Sequence, residues 1–292
     1  LFMNSGAEAV ETALKLARKW AYMKKKIRQD QAKVLIAGNN FHGRTINIIS
    51  FSTSDDSRRD FGPFNPGYRM VPYNDLEHLE EMVKEPDVAA FMVEPIQGEA
   101  GVIVPDEGYL KKAHEICKRH NVLFIADEIQ TGMGRTGKLL CVHHEEVQPD
   151  IVILGKALSA GFMPVSAVLA NDEIMLCIQP GEHGSTFGGN PLGARIAIES
   201  TRILIEEGMA ENADHMGEIF RQRMRNINND YIELVRGKGL LNAIVISDHC
   251  PLSAYEICKK LKEKGLLAKQ THGKVIRFAP PLVISKEDID WA

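Results

Sequence analysis

The stretch Pro149 to Ala170, PDIVILGKALSAGFMPVSAVLA, decides the fold. Pro149 and Asp150 break what precedes them, and Ile151-Val152-Ile153-Leu154 is an unbroken aliphatic, largely β-branched run of the kind found in strands covered on both faces. Gly155 and Lys156 follow at its carboxyl end. Ligands of open α/β sheets bind outside the carboxyl ends of the strands, so an amine held there faces a potential site. Against this stands the plain reading of a strand-end lysine whose charged head reaches water.

Working outward, apolar runs with strand character at Lys33 to Ala37, Ala89 to Val93, Val122 to Ala126 and Ser166 to Ala170 alternate with helical periodicity at Glu8 to Met23 and Tyr109 to His120. That alternation predicts a mostly parallel sheet with helices on both faces. After Asn190-Pro191 the pattern changes to a long helix over Leu192 to Glu207, a polar helix over Glu211 to Arg225, an apolar run at Leu241 to Ile246, a further segment at Tyr255 to Lys264, and short strands at Leu267 to Lys269 and Val275 to Phe278. The expected organisation is a large domain over 1–190 that lacks its amino-terminal part, an interdomain helix over 191–210, and a smaller α+β domain over 211–292, cut short at its end. The run Lys24 to Lys26 reads as a solvated helix end.

With 292 residues and 44% hydrophobic composition, the chain can bury a sizeable core. A formal net charge of −4 gives no electrostatic footprint for nucleic acid, and no apolar run approaches the roughly 18 residues a membrane span needs. Five cysteines without a CxxC pair suit packed thiols in a reducing compartment, cytoplasmic or the mitochondrial matrix, and no metal cage. The chain opens at Leu1 without an initiator methionine and closes within a helix that Ser285 would cap, so it reads as a fragment from which any targeting segment could be missing.

Three groups want one ligand. Asn4-Ser5-Gly6-Ala7 precede an amphipathic helix, whose first N–H groups and permissive glycine make a phosphate site; Ser5 with Glu8 also has capping-box spacing. Asp127 and Glu128 end a second buried strand, where a carboxylate needs a cationic or hydrogen-bonding partner. Lys156 adds an amine at the same sheet edge. Pyridoxal 5'-phosphate uses all three: a lysine for its Schiff base, a carboxylate at the pyridine nitrogen and a phosphate cradle.

A competing signal is Gly132 to Gly137, GMGRTG, which matches the GxGxxG of dinucleotide-binding proteins. Its context fails, because Glu128 to Thr131 separate it from the strand and no convincing helix follows.

Beyond these groups, the segments NSGAEAVETALKLARKW, FHGRT, GPFNPG, VEPIQGEAGVIVPDEGYL, VLFIADEIQTG, LGKALSAG, PGEHGSTFGGNPLG and GKVIRFAPPL run through nearly the whole chain. With them the chain resembles the class III aminotransferases of PLP fold type I, and among those the branch that acts on the δ-amino group of ornithine. The resemblance implies a mostly parallel seven-stranded sheet sandwiched by helices, with a smaller carboxyl-terminal α+β domain. It implies that Lys156 carries the cofactor, Asp127 pairs with the ring nitrogen, Gly6 and Ala7 hold the phosphate, Phe41 and Ile129 cover the two ring faces, and Gln130 bonds the phenolic oxygen. Ser185 and Thr186 would reach the phosphate of a neighbouring subunit in a homodimer. Arg44 and Arg277 would take the carboxylates of ornithine and 2-oxoglutarate, with Glu99 covering Arg277 while ornithine is bound. Acetylornithine and 4-aminobutyrate aminotransferases share the core residues, and a non-catalytic cofactor-binding protein is the reading from another class.

Overall fold

The computed structural model describes residues 1–227 and 230–292. Packing divides them into two units: one comprises 1–95, 105–130 and 142–202, the other 96–104, 131–141 and 203–292.

The first unit is built on seven strands: β1 (Phe2–Met3), β2 (Lys33–Ala37), β3 (Tyr68–Val71), β4 (Val88–Val93), β5 (Leu123–Asp127), β6 (Ile151–Leu154) and β7 (Ser166–Ala170), in the order β1-β7-β6-β5-β4-β2-β3. The five strands from β3 to β6 run parallel. Strand β7 returns antiparallel to β6, and β1 pairs antiparallel with β7. The link through 155–165 holds only a short 3-10 turn, without the crossover helix a parallel return requires. The edge strands β1 and β3 were not expected from the sequence, being too short or too polar to show a run.

Helix α1 (Gly6–Trp20) covers one sheet face: Val10, Leu14 and Ala17 pack in one cluster with Ile36, Met92, Ile125 and Ile153. Each fully buried leucine here contributes about 1.5–3 kcal/mol. Its start is fixed by a complete capping box between Ser5 and Glu8. On the opposite face helix α2 (Tyr109–Arg119) sets His114 edge-on to Phe124 of β5, with ring centroids 5.5 Å apart. Covered on both faces, β4, β5 and β6 are buried at every position, which is why they read as continuous apolar runs. In the basic run Lys24 and Lys26 are exposed at a helix end as expected, whereas the Lys25 ammonium turns inward and donates to the carbonyls of Val88 at 2.7 Å and His120 at 3.3 Å.

The second unit holds an antiparallel sheet of β8 (Ile232–Lys238), β9 (Leu241–Ile246), β10 (Lys269–Thr271) and β11 (Val275–Phe278), in the order β10-β11-β9-β8. Helix α3 (Pro191–Glu206) is shared between the two units. Helix α4 (Met209–Asn226) packs Ala213, Met216 and Phe220 with Leu240 and Ile289. A Cβ on its Gly217 would stand 1.8 Å from the Gly239 carbonyl oxygen, so only glycine permits this approach. Ile96, Val102 and Cys141 join Leu241, Ala243 and Val275 in a further cluster. Residues 132–137 form turns, followed by a short 3-10 turn at Cys141–Glu145 and not by the α-helix that a dinucleotide fingerprint requires. Among the described residues, no helix is long and apolar enough to cross a membrane.

Candidate active site

Sheet register gathers the site. Asp127 of β5 is the Cα partner of Ile153 of β6, so the carboxylate stands beside the strand that leads into Lys156. Leu154 pairs with Ala167 and Ser166 with Met3, which sets the start of α1 just beyond β7 at the same edge. The Ser166 hydroxyl donates to the Ser5 carbonyl at 2.7 Å and pins that turn.

A pocket of about 200 Å³ results, lined by Gly6, Ala7, Phe41, His42, Gly43, Glu94, Asp127, Ile129, Gln130 and Lys156. Close packing shapes its wall: a Cβ on Gly6 would lie 3.0 Å from Ile129 Cδ1, and one on Gly43, at φ +134°, 3.1 Å from the Ala7 Cβ. Lys156 itself has a φ of 41°, in the left-handed region that a lysine seldom adopts. Strained backbone of this kind clusters at functional sites.

Alternation along the chain separates the two acids at the end of β5. Buried Asp127 faces the pocket, its Oδ1 accepting from the Ile129 N–H at 3.1 Å and its Oδ2 lying 2.6 Å from His42 Nδ1. Buried Glu128 accepts from the Val142 N–H at 2.9 Å and so fastens a loop. Burial pulls the His42 imidazolium pKa down, but the hydrogen bond and charge of Asp127, with the charge of Glu94, outweigh it and raise it overall.

The family profile for aminotransferase class-III matches residues 1–292. This chain belongs to the class-III aminotransferases. An ornithine aminotransferase named as mitochondrial, from Drosophila melanogaster, is 59% identical over 292 residues, which is 99% of this chain and 67% of that protein. A Toxoplasma gondii ornithine aminotransferase, in a structure described as revealing partial occupancy of PLP at its active site, matches with a TM-score of 0.97 at 51% identity, over 100% of this chain and 69% of that one. An acetylornithine aminotransferase from Elizabethkingia anophelis matches with a TM-score of 0.89 at 56% identity, over 100% of this chain and 72% of that one. The chain spans about two thirds of the length of the curated relatives it matches.

Of the residues that the class III resemblance singles out, Gly6, Ala7, Phe41, Asp127, Ile129, Gln130 and Lys156 line the pocket. Arg44 is exposed, with its guanidinium carbon 5.8 Å from the Phe41 ring centroid. Ser185 and Thr186 are not among the lining residues; Ser185 accepts from the Asn4 amide at 2.9 Å, and Thr186 is exposed. Glu99 and Arg277 meet within the second unit, Arg277 Nη1 donating to Glu99 Oε1 at 2.8 Å. Burial raises the Glu99 carboxyl, but the bond and charge of Arg277, then those of Lys269, bring it down to about 2.

Three lining residues, His42, Gly43 and Glu94, escaped the sequence reading. His42 stands between Phe41 and Arg44 in a segment read only for those two, although the demand for a cationic partner to a buried Asp127 was a signal for it. Glu94 directly follows the buried strand β4, and its Oε1 accepts from the Phe41 N–H at 2.8 Å.

Proposed function

We propose that the chain binds pyridoxal 5'-phosphate in this pocket and transfers the δ-amino group of L-ornithine to 2-oxoglutarate. The products are glutamate 5-semialdehyde, which cyclises to pyrroline-5-carboxylate, and L-glutamate. The observation that carries the reading is the convergence of Lys156, Asp127 and the first turn of α1 on one pocket. The residues fit the cofactor: glycine and alanine amides at a helix start suit a phosphate, a paired buried carboxylate suits a ring nitrogen, and the cleft between Phe41 and Ile129 suits a flat ring.

When bound, the cofactor supplies a carbonyl for amines and an electron-withdrawing ring. Lys156 Nζ would hold the cofactor and, when free of it, would move the proton from and to the substrate carbon as general base and acid. Asp127 would face the ring nitrogen and favour a proton there, and His42, 2.6 Å from its Oδ2, keeps Asp127 oriented. Gln130 donates to the phenolic oxygen. Arg44 takes the ornithine carboxylate, the planar guanidinium matching a carboxylate bidentately. Glu99 occupies Arg277 while ornithine reacts and yields it to the α-carboxylate of glutamate.

Ser185 and Thr186 serve the phosphate of a neighbouring subunit in a homodimer. Their position outside their own chain's pocket supports this, as do Phe162 and Phe187, 85% and 71% exposed on the same unit. The packed thiols and the mitochondrial relative favour the cytoplasm or the mitochondrial matrix.

The test is the absorbance of the purified holoenzyme on mixing with ornithine, N-acetylornithine and 4-aminobutyrate separately. Ornithine should change the cofactor band fastest and yield pyrroline-5-carboxylate with 2-oxoglutarate present. A faster change with N-acetylornithine would move the assignment to that substrate.

A further inference from the structure

Lys269 and Arg277 are directly opposed Cα partners in the antiparallel pairing of β10 with β11. Like charges placed so repel, and here one carboxylate offsets both. Glu99 Oε1 accepts from Arg277 Nη1 at 2.8 Å, while Oε2 accepts from Lys269 Nζ at 3.1 Å. The two cations differ in setting: the Arg277 side chain is 14% exposed and that of Lys269 is 61% exposed.

The loop that carries Glu99 is held by its main chain. Thr271 Oγ1 donates to the Glu99 carbonyl at 2.7 Å, Gln97 and Ile103 exchange two backbone hydrogen bonds, and Arg236 donates twice to the Gly101 carbonyl. With its backbone fixed, Glu99 can leave Arg277 only by turning its side chain.

The geometry points to Lys269 as the positioning residue that keeps Glu99 charge-paired when a substrate carboxylate takes Arg277, and so sets how readily that guanidinium is surrendered. The inference rests on the ornithine reading above, in which Glu99 yields Arg277 to glutamate. While Glu99 sits on Arg277, the guanidinium meets most of its charge and Lys269 is the smaller contributor. Once Arg277 is taken, Lys269 becomes the near cation, and its ammonium on a flexible four-carbon stem can follow the carboxylate outward. Loss of Lys269 therefore weighs on the state that binds glutamate or 2-oxoglutarate and spares the state that binds ornithine. Because Lys269 is exposed, the effect is about two- to fivefold, the range of a solvent-screened ion pair.

The test uses full-length holoenzyme as wild type, Lys269→Met, Lys269→Arg, Glu99→Gln and the Lys269→Met/Glu99→Gln double variant. Single-turnover half-reactions with glutamate and with ornithine are followed by cofactor absorbance. Lys269→Met should lower the glutamate-to-ornithine efficiency ratio about two- to fivefold, through weaker glutamate binding and not a slower maximal rate. Lys269→Arg should restore the ratio, and in the Glu99→Gln background Lys269→Met should have no effect. An unchanged or raised ratio, or an effect that persists undiminished without the Glu99 charge, overturns the inference. The dissociation constant of 2-oxoglutarate, measured without ornithine, should weaken by the same factor. Failure of the wild type to react with ornithine would sink the functional reading alone, since this binding arm still decides the role of Lys269.

Discussion

Asp127 Oδ2 and His42 Nδ1 lie 2.6 Å apart with both side chains buried, so this carboxylate of the pocket wall already has an imidazole as partner. The pKa of His42 is raised above its ordinary 6.5. Its contribution to stability is thus fully present below about pH 6.5 and is lost as pH rises through the higher folded value. Nuclear magnetic resonance titration of the His42 ring should show a midpoint above 6.5, and a midpoint at or below it would contradict the pairing. His42→Leu, which removes a hydrogen bond to a buried charge, should lower kcat about tenfold to a hundredfold.

Lys156→Ala should cost at least about a hundredfold in turnover, the lower end of what a positioned acid and base supplies, and should leave the cofactor non-covalent. Mass spectrometry after borohydride treatment reads the second effect directly. Wild-type turnover in this variant would remove Lys156 from the chemistry. Asp127→Asn should retain some cofactor yet lose much of the rate, because a neutral amide no longer favours a protonated ring nitrogen.

Gly43→Ala tests the pocket wall. At φ +134° the new side chain is strained by about 1–3 kcal/mol, and its Cβ would meet Ala7 at 3.1 Å and Ile48 at 3.0 Å. Both a lower Tm and weaker cofactor retention are expected. A variant that lost neither would show that α1 and this loop have room to part.

The carboxyl of Glu99 lies at about 2 against an ordinary 4.5, so the pair stabilises the fold above roughly pH 4.5 and that stabilisation fades as pH falls towards 2. The Tm advantage of wild type over Glu99→Gln should shrink between pH 5 and pH 3, roughly the upper part of that window. A constant difference would place the Glu99 charge outside the linkage.

Glu99→Ala should raise the efficiency of the glutamate half-reaction relative to the ornithine half, by roughly tenfold for a partly desolvated pair. Arg277→Ala should damage the glutamate half far more than the ornithine half. Rapid-mixing absorbance gives both ratios, and a shift of Glu99→Ala towards ornithine would reduce Glu99 to a structural carboxylate.

Much of this was legible in order along the chain. Strands β2, β6, β7, β9 and β11 fall where their apolar runs predict, and helix α2 ends one residue before its expected limit. Lys156 and Asp127 were marked out because each ends a buried run, and burial makes a charge there conspicuous. Hydrophobic pattern is a local property, so a single sequence displays it. The antiparallel return of β7, the two-residue strand β1 and the division of the chain into units depend on how distant segments dock, which no local pattern encodes. The same holds for the polar contacts. His42 meets Asp127 across 85 positions, and Glu99 meets Lys269 across 170 and Arg277 across 178. Sequence by itself determined which residues lie at strand ends and what chemistry they carry. Only the tertiary structure decided which of them touch, because a hydrogen bond needs its two atoms within about 3 Å and that precision comes from sheet register and loop course.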